Sequence, residues 1–238
     1  MSVKSKVLAA AATLTMVGGL GAAGTLAAGT ASAATPSCGH SCVNIFSKKF
    51  SNVLTVKPGF VMDVYRQGAK VGQPIIMFQS SNTDPAEDFT VANYGTVNDF
   101  QLAGLLPTNA LMLRYANDLA WELQYSPYGV NSGLCVGVAS TPISNSAVSL
   151  QPCGVSAKTV WITDVSNLNF AGLFTFPFLP LINGAGTNFS QPFVMTYPQN
   201  GNPVDIPRPQ MVVQNLHTFS RGQVYDNQMW SGFFGRLR

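Results

Sequence analysis

The sequence predicts an all-β protein, and its composition and periodicity carry that prediction. Charged residues make up only 10% of the chain, while glycine, proline, uncharged polar and aromatic residues are frequent. Such a mixture favours short strands and tight turns over long helices. No long stretch has helical periodicity, and the nearest candidate, residues 102–113, is interrupted by Gly104 and Pro107, which limit it to one helical turn.

Residues 1–33 have the pattern of a cleavable secretory signal. Two lysines lie near the start, residues 7–28 carry no charge, and residues 31–33 (Ala-Ser-Ala) offer the small side chains that fit a signal peptidase. A transmembrane anchor is the alternative, but glycines interrupt the apolar run and the cleavage pattern ends it. We therefore expect a single exported domain at residues 34–238, without a membrane anchor in the mature chain.

The remainder of the chain is close to electrically neutral. Lys4 and Lys6 are two of the thirteen basic residues, and the eleven others stand against ten acidic residues. This balance gives no electrostatic footprint for nucleic acid or for an anionic membrane. We expect neither as a partner, and we expect the mature protein to be extracellular, secreted or associated with the cell surface.

Four cysteines in an exported chain indicate two disulfides, because the extracellular space lacks the reductants that keep thiols free. Sequence alone permits three pairings. We favour Cys38 with Cys42 and Cys135 with Cys153, because the second pair brackets two strand-like runs that can form a hairpin. A zinc site is less favoured, since the spacing is not that of paired zinc ligands. We expect no metal and no cofactor.

Three segments of the chain end alike, in a polar residue, a spacer and an aromatic residue. The aromatic residues are Phe89, Trp161 and Trp230, which lie 72 and then 69 residues apart. A pair of strand-like runs precedes each of them: 61–65 with 75–79, 134–139 with 148–153, and 193–197 with 211–215. Regular spacing of such units predicts a threefold internal repeat.

The repeated unit resembles that of the ricin-type β-trefoil lectins. Residues 61–89 are similar to one whole family repeat, residues 133–161 carry the family's cysteine pair, and residues 228–230 keep its Gln-x-Trp ending. The resemblance implies three repeats of four strands each, in a six-stranded barrel capped by three hairpins, with the aromatic endings packed beneath the barrel. Because these repeats are longer than the family's, we expect inserted strands or loops at 94–117 and 164–190.

Sugar binding needs an aromatic face for the apolar side of the ring and a carboxylate or amide that accepts hydrogen bonds from the hydroxyls. The resemblance implies that Asp63 is the acceptor and Phe78 the stacking aromatic, with Asn82 and Asp84 as further polar contacts or turn residues. The alternative is that these residues have structural roles. In that case Phe78 packs in the core, Asp63 caps a turn, and residues 82–84 form a plain polar loop.

The other two segments lack this acceptor. Gly137 and Thr196 stand at the position of Asp63 in the second and third segments. We therefore expect one carbohydrate-binding site, in the first repeat.

Catalysis has little support in the sequence. His40 and His217 are the two histidines available as general bases, and the sequence contains neither a Gly-x-Ser-x-Gly nucleophile elbow nor a histidine and carboxylate cluster with metal-ligand spacing. We expect a non-catalytic module whose partner is a carbohydrate or glycoconjugate. The alternative is a structural or protein-interaction scaffold at the cell surface, without a small-molecule site.

Overall fold

The computed structural model describes residues 42–50, 59–81, 83–109, 114–167, 178–219 and 222–234. The chain divides into two compact units, Met1–Ala34 and Thr35–Arg238. Every described residue belongs to the second unit, and the predicted signal lies outside the described residues.

Strands account for nearly all of the regular structure in the described ranges, which confirms the prediction of an all-β protein. In chain order the strands are β1 Cys42–Ser47, β2 Phe60–Val64, β3 Ile75–Gln79, β4 Phe89–Thr96, β5 Leu119–Tyr125, β6 Leu134–Val138, β7 Ser146–Pro152, β8 Val160–Thr163, β9 Leu181–Asn183, β10 Phe193–Thr196, β11 Val212–Asn215 and β12 Trp230–Phe234. One short helix, α1 Val97–Leu102, lies between β4 and β5. Across these ranges, no helix has the length and apolar character needed to span a membrane.

Six of the strands form a closed barrel. β1 pairs antiparallel with β4 and β12, β4 pairs with β5, β5 with β8, and β8 with β9. Leu179, just before β9, and Trp230, at the start of β12, close the ring through two backbone hydrogen bonds of 2.8 and 2.9 Å. Because the ring is closed, the backbone donors and acceptors of these strands pair with each other rather than along an exposed edge.

The other six strands form three hairpins, β2–β3, β6–β7 and β10–β11, which cap one end of the barrel. Three cross-strand bridges join the hairpins in a ring: Pro74–Ser149, Ile76–Gln210 and Ala147–Val212. Each repeat therefore supplies two barrel strands and one hairpin, the arrangement that the resemblance implies.

The three aromatic endings lie in the main core, as predicted. Phe89, Trp161 and Trp230 are at most 1% exposed and belong to one apolar cluster that draws on all three repeats. Nε1 of Trp161 donates to the carbonyl oxygen of Val136 at 2.9 Å, and Nε1 of Trp230 donates to that of Met195 at 2.8 Å. Val136 and Met195 hold the same place in their hairpins, so the internal repeat extends to individual hydrogen bonds.

The predicted insertions form a short helix, loops and a second small core. The Thr96 hydroxyl accepts from the Asp99 N–H while the Asp99 carboxylate accepts from the Thr96 N–H, a reciprocal cap that starts α1. Phe100 of the first insertion and Phe189 of the second pack against the outer face of β8 and β9. The second predicted insertion, 164–190, also contains β9, so part of it belongs to the barrel.

A disulfide joins Cys135 in β6 to Cys153 just after β7, as predicted. Cys42 is also disulfide-bonded. Cys38, which we favoured as its partner, lies outside the described residues.

Replacing both Cys135 and Cys153 by serine should lower the free energy of unfolding by about 3 kcal/mol, because the bond closes a loop with a sequence separation of 18. Urea denaturation of the oxidised wild type and the double variant measures the difference. A loss within about 0.5 kcal/mol, the range of ordinary surface substitutions, would show that the β6–β7 hydrogen bonds close this loop without the disulfide.

Candidate functional site

The first repeat brings two of the four predicted sugar-site residues onto one face of a hairpin. In the β2–β3 register, Asp63 pairs with Ile76, and the next residue on that face of β3 is Phe78. Because side chains alternate between the two faces of a strand, the intervening Met77 enters the main core instead. Asp63 is 4% exposed, and Phe78 is half-buried.

A cation from the third repeat lies over the ring of Phe78. The guanidinium carbon of Arg208, in the connection between β10 and β11, is 4.2 Å from the ring centroid, within cation–π range. Nε of Arg208 is buried and has no hydrogen-bond partner among the described residues. An unsatisfied buried donor is costly. This face therefore combines an aromatic ring, a carboxyl group and a guanidinium group.

Asp84 orders the turn that follows β3. Its Oδ1 accepts from the backbone N–H of Ala86 at 2.9 Å and from Nε2 of Gln67 at 3.0 Å. The carboxylate thus caps the short 3₁₀ turn Pro85–Glu87, which leads into β4. Asn82, the fourth predicted residue, lies outside the described residues.

Three carboxyl groups of the first repeat are buried and interact with one another. Asp63, Glu87 and Asp88 are at most 5% exposed. Burial, reinforced by the charge of Asp84, raises the pKa of Asp63 to about 7. Burial also raises the pKa of Glu87 to about 8, against the opposing effect of a hydrogen bond from the Ser81 N–H. Within the described part of the chain, no group of three or more His, Cys, Asp and Glu side chains is arranged to hold a metal ion.

In the first and third repeats, a buried side chain accepts a hydrogen bond from the backbone N–H that lies two residues beyond the hairpin of the same repeat. Glu87 accepts from the N–H of Ser81 at 2.7 Å, and Gln228 accepts from the N–H of His217 at 2.8 Å. Both acceptors are the polar residues of the repeated ending. The ending therefore positions the chain as it leaves each of these hairpins.

In the second repeat, the acceptor for the corresponding N–H group comes from a different part of the repeat, strand β5. Thr159 stands at the acceptor position, and Glu122 of β5 accepts from the Gly154 N–H at 2.9 and 3.1 Å and from the Thr159 hydroxyl. Nδ2 of Asn93 donates to the same carboxylate. Glu122 is fully buried. Sequence reasoning missed it, because only the pairing of β5 with β8 places Glu122 beside Val160.

The residues at the Asp63 position in the other repeats serve the fold. A Cβ atom at Gly137 would lie 2.6 Å from the carbonyl oxygen of Lys158, so no side chain fits there. Thr196 is fully buried. Its hydroxyl donates to the carbonyl oxygen of Val194 at 2.9 Å and accepts from Nε2 of Gln228 at 3.1 Å.

The third repeat nevertheless holds a polar pocket of about 210 Å³. The pocket is lined by Gln199, Gln214, His217, Tyr225, Asn227 and Gln228. The ring of Tyr225 stacks on that of Phe219, with centroids 4.1 Å apart. Amides and an imidazole around a phenol ring suit a hydroxyl-rich ligand. Sequence reasoning missed this pocket, and the intact Gln-x-Trp ending of the third repeat was the signal available for it.

Neither a protein-family model nor a curated protein matches this sequence. Among solved structures, a mosquitocidal holotoxin is similar, with a TM-score of 0.51 and 12% identity over 83% of this chain and 17% of the toxin chain. This chain thus spans less than a fifth of the toxin's length. The fold is a β-trefoil.

Two smaller proteins are similar along nearly their whole length. The designed threefold-symmetric protein ThreeFoil gives a TM-score of 0.47 and 12% identity over 81% of this chain and 97% of its own. The Rhizoctonia solani agglutinin gives a TM-score of 0.46 and 16% identity over 81% of this chain and 94% of its own. In this β-trefoil, the Asp63 face belongs to the first repeat and the polar pocket to the third.

Proposed function

We propose that this protein is an exported, non-catalytic module that binds carbohydrate through the face of hairpin β2–β3 that carries Asp63. The main support is that Asp63 and Phe78 share this face, with the guanidinium of Arg208 over the ring. A carboxylate accepts hydrogen bonds from sugar hydroxyls, a guanidinium donates to them, and an aromatic ring packs against C–H groups. Asp84 supports the site by fixing the turn after β3, and Asn82 is proposed as a further polar contact.

The polar pocket of the third repeat extends the proposal to a second point of contact. Its side-chain amides both donate and accept hydrogen bonds, and Tyr225 supplies an aromatic ring within the lining. A glycan with several sugar units would reach more of the surface than one monosaccharide does. The two sites can be tested separately by mutation, because His217 is exposed and lines the third-repeat pocket but not the Asp63 face.

Export is the second part of the proposal. The disulfide between Cys135 and Cys153 supports it, since such bonds persist in oxidising compartments outside the cytoplasm. We propose that the signal is cleaved near residue 33 and that the mature protein acts outside the cell or at its surface.

The substitution Asp63→Asn should weaken glycan binding about tenfold, because a neutral amide replaces a charged acceptor that is worth about 1.5–3 kcal/mol in a hydrogen bond. Wild-type binding should also be weaker at pH 6 than at pH 8, since the pKa of Asp63 is about 7 and the carboxylate is the accepting form. The variant should lose this pH dependence. A glycan array identifies the ligand, and calorimetric titration of the best glycan at both pH values measures the effects.

Asp99→Asn is the matched control, because it removes an exposed carboxylate of α1, which contributes to neither site. His217→Ala reports on the third-repeat pocket alone. A loss in His217→Ala with none in Asp63→Asn would move the site to the third repeat. No binding by folded protein across a broad array would contradict the carbohydrate proposal and favour the scaffold alternative.

A further inference from the structure

The barrel contains an apolar cavity of about 200 Å³ at the end opposite the three hairpins. All six barrel strands contribute to its wall. The lining residues are Val43 and Ile45 of β1, Val91 and Tyr94 of β4, Leu119 and Trp121 of β5, Thr163 of β8, Leu181 of β9 with the preceding Leu179, and Trp230, Ser231 and Gly232 of β12. Because every strand of the ring takes part, the cavity lies on the barrel axis.

The exposure of the lining residues shows that the cavity opens to solvent at one end. Ile45 is 2% exposed and Trp230 is 1% exposed, so these side chains form the inner wall. Tyr94 is 70% exposed and Leu119 is 39% exposed, so they form the rim. A guest therefore enters end-on, past the rim and along the barrel axis.

The wall offers almost no polar contact to a guest. None of the lining side chains is charged. The two indole N–H groups are already hydrogen-bonded: Nε1 of Trp121 donates to Oγ1 of Thr163 at 2.8 Å, and Nε1 of Trp230 donates to the carbonyl oxygen of Met195 at 2.8 Å. A sugar would lose its hydration here without replacement, whereas a hydrocarbon would not. This chemistry separates the cavity from the proposed sugar sites.

We propose that the barrel mouth is a binding site for the alkyl chain of a single-chain amphiphile. An apolar cavity of about 150 Å³ is enough to hold one benzene molecule, so this one has room for a short hydrocarbon chain. It is smaller than the roughly 300–1,000 Å³ of pockets that enclose a whole drug-sized ligand. The chain therefore enters the barrel while the polar head stays at the rim, beside Tyr94.

Gly232 provides a way to fill the cavity without removing any contact. A Cβ atom there would lie 3.3 Å from Cδ1 of Ile45 and 3.5 Å from Cγ1 of Val43, so the side chain of Gly232→Leu would point into the cavity. The matched control is Gly59→Leu, where the one contact of a Cβ atom with the described residues would be the carbonyl oxygen of Phe50, at 3.5 Å. Both glycines are exposed.

The test is a calorimetric titration of the full chain with a series of primary alkanols of increasing length. Affinity should rise about fourfold for each added methylene until the chain fills the cavity, and then level off. Gly232→Leu should weaken binding at least tenfold, whereas Gly59→Leu and Asp63→Asn should bind as the wild type does. Absence of saturable binding, or equal binding by Gly232→Leu, would overturn the proposal.

A second measurement on the wild type covers the case in which Gly232→Leu does not fold. Bound alkanol should show nuclear Overhauser contacts from its chain protons to the methyl groups of Ile45 and Leu181, which form the inner wall. Contacts confined to surface methyl groups, such as that of Ile206, which is 91% exposed, would place the alkanol outside the barrel and overturn the proposal.

Discussion

Replacing Glu122 by alanine is expected to lower the free energy of unfolding by about 3 kcal/mol, because it removes three hydrogen bonds that each contribute about 1 kcal/mol. The Glu122 side chain is fully buried and accepts from the Gly154 N–H, the Thr159 hydroxyl and Nδ2 of Asn93. Alanine leaves all three donors without this partner and a void beside them. Chemical denaturation of the two proteins measures the difference.

The first and third repeats suggest a compensating substitution. In those repeats the polar residue of the repeated ending, Glu87 or Gln228, accepts the hydrogen bond from the N–H beyond the hairpin. In the second repeat Glu122 accepts the equivalent hydrogen bond. Thr159→Gln should therefore recover part of the stability that Glu122→Ala loses, and the double-mutant cycle should show coupling between the two positions. A loss of less than about 1 kcal/mol for Glu122→Ala would contradict the structural role of this carboxylate, since a typical neutral hydrogen bond alone contributes about that much.

The stability of the protein is expected to fall as pH rises between about 4 and 8, by roughly 3 kcal/mol from Asp63 alone. Burial raises the pKa of Asp63 to about 7 and that of Glu87 to about 8, from ordinary values of 3.8 and 4.5. The folded protein therefore binds more protons than the unfolded chain within this window, and each rise in pH favours unfolding. Thermal denaturation across the window measures the slope.

The substitution Asp63→Asn distinguishes the contribution of Asp63 to this pH dependence from that of the other titrating groups. The amide imitates the neutral acid, so the variant should match the wild type near pH 4, exceed its stability at pH 8, and have a shallower slope. Asp99→Asn is the control, because hydrogen bonds from Thr96 lower the pKa of Asp99, so removing its carboxylate should not make the fall in stability with pH shallower. An unchanged slope in Asp63→Asn would show that its carboxyl is not the group that titrates.

The hairpins were predictable because each combines an apolar face with turn residues on either side. The runs at 61–65 and 75–79, for example, become β2 and β3 with small changes at their ends. Strands β1, β4, β9 and β12 were not predicted individually, and β1 and β9 show why. Every residue of Cys42–Ser47 is buried, and Leu181–Asn183 has three residues, so neither shows the alternation that marks a half-exposed strand.

The sugar-site prediction was limited by what one hairpin can reveal. The family resemblance implied that Asp63 and Phe78 belong to one site, and the register of the β2–β3 hairpin places them on a common face. Arg208 approaches that ring from the third repeat, and no local pattern connects the two. The polar pocket of the third repeat was missed for a related reason, since its lining extends from Gln199 to Gln228.

The sequence by itself determined the all-β class and the threefold repeat, because these depend on composition and on regular spacing along the chain. It favoured the Cys135–Cys153 bond among three possible pairings, and the burial of the three aromatic endings was what the family resemblance implied. Only the tertiary structure decided that Glu122 is the hydrogen-bond acceptor that the short Thr159 cannot be, that Arg208 lies over the ring of Phe78, and that the barrel has an open apolar cavity along its axis. These features join residues from different strands or repeats. The fold brings these residues together, and their separation along the chain does not reveal that they are in contact.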